Sequence, residues 1–128
     1  MAVFTLDGKE YPGVIVMNLE RSFQVLDGEN SGRSQNGTMI RDIIGTYYNY
    51  TLELDTTETT ARRYDELYEA ISAPVAYHSL VVPYGQDTLA FDAYVTSGTD
   101  NLLRMDSINR WGGISVKFIA MKPARYPE

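Results

Sequence analysis

Apolar and polar residues alternate with period two through most of this chain and switch to a helical period once. From Val16 on, Asn18, Glu20 and Ser22 alternate with Met17, Leu19, Arg21 and Phe23. Three of those last four are apolar, which predicts a strand with one buried face. Thr38 to Leu54 is the longest strand candidate. Gly45 in its middle predicts a bulge or bend. Past it, Tyr48, Tyr50, Leu52 and Leu54 alternate with Tyr47, Asn49, Thr51 and Glu53. Further strands are expected over Val75–Val82, over Leu89–Thr96 with Leu89, Phe91, Ala93 and Val95 on one side, and over Leu102–Ile108. In the last strand Ile114, Val116, Phe118 and Ala120 share a face.

The exception is Thr57–Ser72, where Ala61, Tyr64, Leu67, Tyr68 and Ile71 make one apolar stripe and Arg62, Asp65, Glu66 and Glu69 lie off it. Asp55 with Glu58 three residues later fits a capping box, and Pro74 ends the helix. Turns fall at Asp7-Gly8, at Pro83 to Asp87 and at Ser97 to Asn101. The expected fold is therefore mostly β: an antiparallel β-sandwich or half-barrel with one packed α-helix over about 57–72.

Two segments stand apart from this pattern. Asp27–Gly37 has turn formers and no apolar side chain, so it is expected as an exposed loop. Its length exceeds the usual connection, which admits a docking role as well as a simple mobile tip. The tail, residues 122–128, is expected to be loose or to dock on a neighbour.

Composition narrows the function classes. The 128 residues suit one domain with its own core, and the absence of cysteine removes disulfides, zinc–thiolate sites and thiol nucleophiles. Acidic residues outnumber basic ones 17 to 11, for a net charge of −6. No Lys/Arg cluster suits nucleic-acid binding, and no apolar run suits a membrane span or a signal peptide. Soluble protein made in a cytoplasm is the expectation. Ten tyrosines are the one marked bias. Tyrosine suits half-buried sheet positions and equally suits interfaces.

Candidate chemistry is sparse. His78 is the only histidine, and its place in an alternating strand makes it a structural, hydrogen-bonded residue before a catalytic one. Asp65-Glu66 falls on the outer helix face, and Asp27-Gly28-Glu29-Asn30 lacks calcium-loop spacing. No phosphate loop or dinucleotide fingerprint occurs. The chain is expected to have no catalytic residue, metal or cofactor.

The order of elements adds a further reading. Ile40-Arg41-Asp42-Ile43-Ile44-Gly45-Thr46 leads into an aromatic strand. A helix carrying Tyr64-Asp65-Glu66-Leu67-Tyr68-Glu69 follows, and Trp111-Gly112-Gly113-Ile114-Ser115-Val116-Lys117-Phe118-Ile119-Ala120-Met121 closes the chain. Over Val14 to Met121 this resembles small tail-associated proteins of bacteriophages and prophages that share the tail-tube fold. The resemblance implies two packed antiparallel sheets flanked by one helix, and hexameric rings that stack into the tube or form its distal and connector parts. It implies a non-enzymatic virion protein of the tail, made in the bacterial cytoplasm, whose partners are its own copies and other tail proteins. The expected contacts are Asp27, Glu29 and Arg33 in the loop, Tyr47, Tyr48 and Tyr50 in the aromatic strand, and Arg125 and Tyr126 in the tail. The alternative is a β-sandwich module that holds a carbohydrate or peptide with surface tyrosines.

Overall fold

In the computed structural model the period-two segments become strands and the stripe becomes a helix; residues 4–56, 61–105 and 109–127 are described. The elements are β1 (Thr5–Leu6), β2 (Ile15–Asp27), β3 (Gly32–Arg33), β4 (Met39–Ile40), β5 (Ile43–Asp55), α1 (Ala61–Ile71), β6 (His78–Tyr84), β7 (Asp87–Tyr94), β8 (Gly98–Met105) and β9 (Asn109–Ala120). The fold is mostly β with one helix, as the periodicity predicts, and the strand pairs are antiparallel.

Seven strands form a continuous sheet in the order β1-β6-β7-β9-β5-β2, with β8 also on β9. It folds over at β9. Residues 114–118 of that strand pair with β5, while β8 and then β7 follow its other edge, β8 from Asn109 to Val116 and β7 at Ile119 and Ala120. The break at Val95–Ser97 lets one run of chain serve both halves, a common way to turn a sandwich corner.

The core lies inside this fold. Tyr50, Leu52 and Leu54 of β5 and Ile114, Val116 and Phe118 of β9 face Leu80 and Val82 of β6, with Leu6 and Ala93 beside them. From the helix, Tyr64, Leu67 and Ile71 complete it. Each such side chain contributes on the order of 1.5–3 kcal/mol of transfer free energy. Tyr68, expected in the stripe, lies at its rim and is exposed. Residues 57–60, with Glu58 of the expected capping box, lie outside the described residues. Asp55 does accept the Thr56 N–H at 2.7 Å, and Arg110 Nε donates to the Thr56 carbonyl at 2.9 Å. The strand-to-helix junction is thereby tied to β9.

Several boundaries differ from the sequence reading. Ser97–Asn101 is no simple turn: β8 begins at Gly98, where it pairs with Val116. Its polar residues Thr99, Asp100 and Asn101 suit an edge strand, so composition hides it. Residues 106–108 of the expected strand lie outside the described residues. The loop Asp27–Gly37 is shorter than expected, because β2 runs to Asp27 and Gly32–Arg33 pairs with Met39–Ile40. The bend expected at Gly45 is present as a register shift, with Leu26 opposite Gly45 but Asp27 opposite Ile43.

The largest correction concerns β2. A register shift between Val16 and Asn18 puts Met17 out of the alternation, and Met17 and Phe23 are 62% and 71% exposed. Only Val16 and Leu19 of this strand pack partly on the core. The strand has no buried face over most of its length.

Candidate functional site

β2 is the last strand of the sheet, so its outer edge is unpaired among the described residues. Backbone donors and acceptors of an edge strand remain available to another strand, and natural edges of this length usually carry charge or proline to prevent it. Here the strand carries the charged Glu20 and Arg21 but also the exposed apolar Met17 and Phe23. Where β2 meets β5, Arg21 stands opposite Tyr50 and Phe23 opposite Tyr48.

Midway along β2 and β5, beside the β6–β7 turn, an aromatic and basic cluster forms. The Tyr48 and Tyr84 rings are 5.2 Å apart, and the Tyr84 hydroxyl donates to the Tyr48 hydroxyl at 3.2 Å. Arg21 lies 5.5 Å from the Tyr84 ring centroid, a cation–π distance. The tight turn at Gly85, with φ of 58°, returns the chain from Tyr84 to Asp87 and holds Tyr84 beside β5. The bond from Tyr84 holds the Tyr48 phenol below its usual pKa against the opposing effect of burial, and a hydrogen bond with Arg125 and the charges of Arg125 and Arg21 add to the lowering. Tyr84, as donor to Tyr48, is raised.

The tail, expected to be loose or to dock on a neighbour, runs beside β5 of its own chain. The Thr46 N–H donates to the Arg125 carbonyl at 2.9 Å, and the Ala124 N–H donates to the Thr46 carbonyl at 2.9 Å. Gly45 is required at this crossing, since a Cβ there would lie 2.6 Å from the Arg125 carbonyl oxygen. Lys122, Pro123 and Ala124 line a cleft of about 480 Å³ together with Tyr48 and Phe91.

Of the expected contact residues, Tyr48 and Arg125 thus come together. Tyr126 is exposed on the tail just beyond them. Tyr47 points to the other sheet face, where it lines a shallow depression with Leu26, Tyr94 and Met121. Tyr50 is a correction: it is 1% exposed, and its hydroxyl donates to the Pro83 carbonyl at 3.0 Å. Its period-two position, level with Leu52 and Leu54, puts it in the core. Asp27, Glu29 and Arg33 stay at the hairpin tip. Arg41 bonds Asp27 at 2.9 Å, Arg33 Nη1 donates to the Gly37 carbonyl at 2.9 Å, and Glu29 is exposed.

A second site had no signal in the sequence reading. Tyr64, Tyr68 and Trp111 line a cleft of about 450 Å³ with Asp65, Glu69, Asp100 and Asn109. The Tyr64 hydroxyl donates to Asp100 Oδ2 at 3.0 Å. Burial first, then the bond to Asp100, pushes the Tyr64 phenol far above its usual range. Asp65 and Glu69 were legible as helix surface and Tyr68 as part of the apolar stripe, but Asp100 sits in a strand read as a turn, and Trp111 joins them only through β9.

His78 is buried, and its Nδ1 lies 2.8 Å from Asp7 Oδ2. Asp7 also accepts the Ser79 N–H at 2.9 Å, so the pair fastens the first turn to β6. No nucleophile adjoins it among the hydrogen bonds of the described residues. Among those residues no group of three metal-ligating side chains occurs, and no helix is long and apolar enough to cross a membrane. No protein-family model matches this chain, and no curated protein matches it.

Proposed function

We propose that this chain is a non-enzymatic structural subunit of a bacteriophage or prophage tail. It acts by joining copies of itself and other tail proteins in a ring or tube, as the resemblance in element order implies. The observation that carries the reading is the open β2 edge with Met17 and Phe23 exposed on it. Water-exposed apolar side chains on a 13-residue strand whose outer edge is open among the described residues are a liability in a monomer and an asset in a protomer whose sheet continues into its neighbour. The net charge of −6 suits a conduit that DNA must cross without adhering.

Sedimentation velocity over a concentration series tests it. The wild-type chain is expected to form larger species as concentration rises. Phe23→Lys, which places a charge on the open strand without touching the core, is expected to weaken that association at least tenfold. Association unchanged by this substitution removes β2 from the interface.

A further inference from the structure

The cleft beside the helix draws its lining from α1, β8 and β9. On α1, Tyr64 and Tyr68 stand one turn apart, and so do Asp65 and Glu69, which sets a row of rings beside a row of carboxylates. β9 supplies Trp111 and Asn109, and β8 supplies Asp100. The two strands are irregular here. Thr99 lies opposite Ser115 and Asn101 opposite Gly112, so Asp100 alone faces Gly113 and Ile114, and Gly113 takes a φ of 71°. A second register shift follows Leu102, the residue opposite Trp111. Bulges of this kind re-aim side chains out of strict alternation. Asp100 lies in the first shift and Trp111 between the two.

Tyr64 is buried, and its hydroxyl donates to Asp100 Oδ2 at 3.0 Å, which holds that carboxylate in place. Tyr68 and Trp111 are exposed aromatic surfaces on a cleft of about 450 Å³. That volume falls within the range of roughly 300–1,000 Å³ typical of small-molecule sites. A sugar ring has a face of C–H bonds, polarised positive by neighbouring oxygens, that stacks on the electron-rich face of Trp or Tyr. Its hydroxyl edge donates to carboxylates and accepts from amides and phenols. Asp65, Glu69 and Asp100 offer the acceptors, while the Asn109 amide and the Tyr68 hydroxyl offer donors. An organic cation would use rings and acceptors alone. Donors beside them favour a neutral, polyhydroxylated ligand.

We propose that this cleft binds carbohydrate, with a pyranose ring stacked on Trp111 beside Tyr68 and its hydroxyls held by Asp65, Glu69 and Asp100. The site uses no residue of β2, so it goes beyond the assembly role and does not depend on it.

Trp111 is the single tryptophan of the chain, so its fluorescence reports on this cleft directly. The whole protein is titrated with maltohexaose, cellohexaose and chitohexaose. A saturable change in emission is expected with at least one of them. Tyr68→Ala, and separately Asp65→Ala with Glu69→Ala, keep the reporter and alter only exposed helix positions. Each is expected to weaken binding about tenfold or more, the worth of one stacked ring or one charge-assisted hydrogen bond. Phe23→Lys on β2 is expected to leave the titration unchanged, which separates this site from the strand edge. No saturable change with any of the three sugars overturns the proposal. So does a change that the helix variants do not weaken, or one produced by tetramethylammonium chloride and not by the sugars, which marks a cation site instead.

Discussion

At the residue scale, position in the strand decides what a tyrosine does. Tyr50 shares the period of Leu52 and Leu54, so it fills the core and spends its hydroxyl on the Pro83 carbonyl. Tyr50→Phe is expected to cost about 1 kcal/mol, the net worth of one hydrogen bond. Tyr50→Ala is expected to cost about 3–5 kcal/mol, because it also leaves a cavity. Urea denaturation distinguishes these, and an Ala variant as stable as the Phe variant would contradict the core assignment. Asp7 offers a second residue-level test. Burial raises its pKa, but the bonds from His78 and the Ser79 amide outweigh that and hold it below the ordinary carboxylate value. A carboxyl depressed on folding contributes stability that is full above its unfolded pKa, about 3.9, and is lost as pH falls through the lower folded value. Asp7→Asn, which tolerates the positive φ of this turn, is expected to flatten the fall in stability on the acid side. An unchanged acid limb in thermal melts would show that the Asp7 contacts contribute nothing to it.

At the scale of elements, the chain was most legible where one face is buried and least legible at edges. The apolar residues of β9 and the stripe of α1 read directly as core, because burial imposes their periods. The period of β2 reads equally well, yet its face is exposed: alternation reports a strand, whereas cover depends on a partner that local sequence does not contain. The first half of β8 escaped notice for the converse reason, since an edge strand tolerates Thr99, Asp100 and Asn101, whereas Leu102 onward reads as strand. The Tyr48 cluster was half legible. Tyr48 and Arg125 were singled out, but Arg21 and Tyr84 join them through strand register and a tight turn. Docking of the tail gives a test at this scale. Gly45→Ala puts a methyl against the Arg125 carbonyl and Pro123. It is expected to release the tail, raising hydrogen exchange at the Ala124 and Arg125 amides, while protection in β9 is retained. Retained protection at those two amides would contradict the docking.

At the scale of the whole molecule, the folded sheet and its helix enclose the core, and the outer edge of β2 is open among the described residues. The β2 edge exposes Met17 and Phe23. The most direct test is negative-stain electron microscopy of the purified protein across a rising concentration series. Rings or tubes of uniform diameter are the predicted result. Separate particles of monomer size at the highest concentration would contradict a self-assembling subunit.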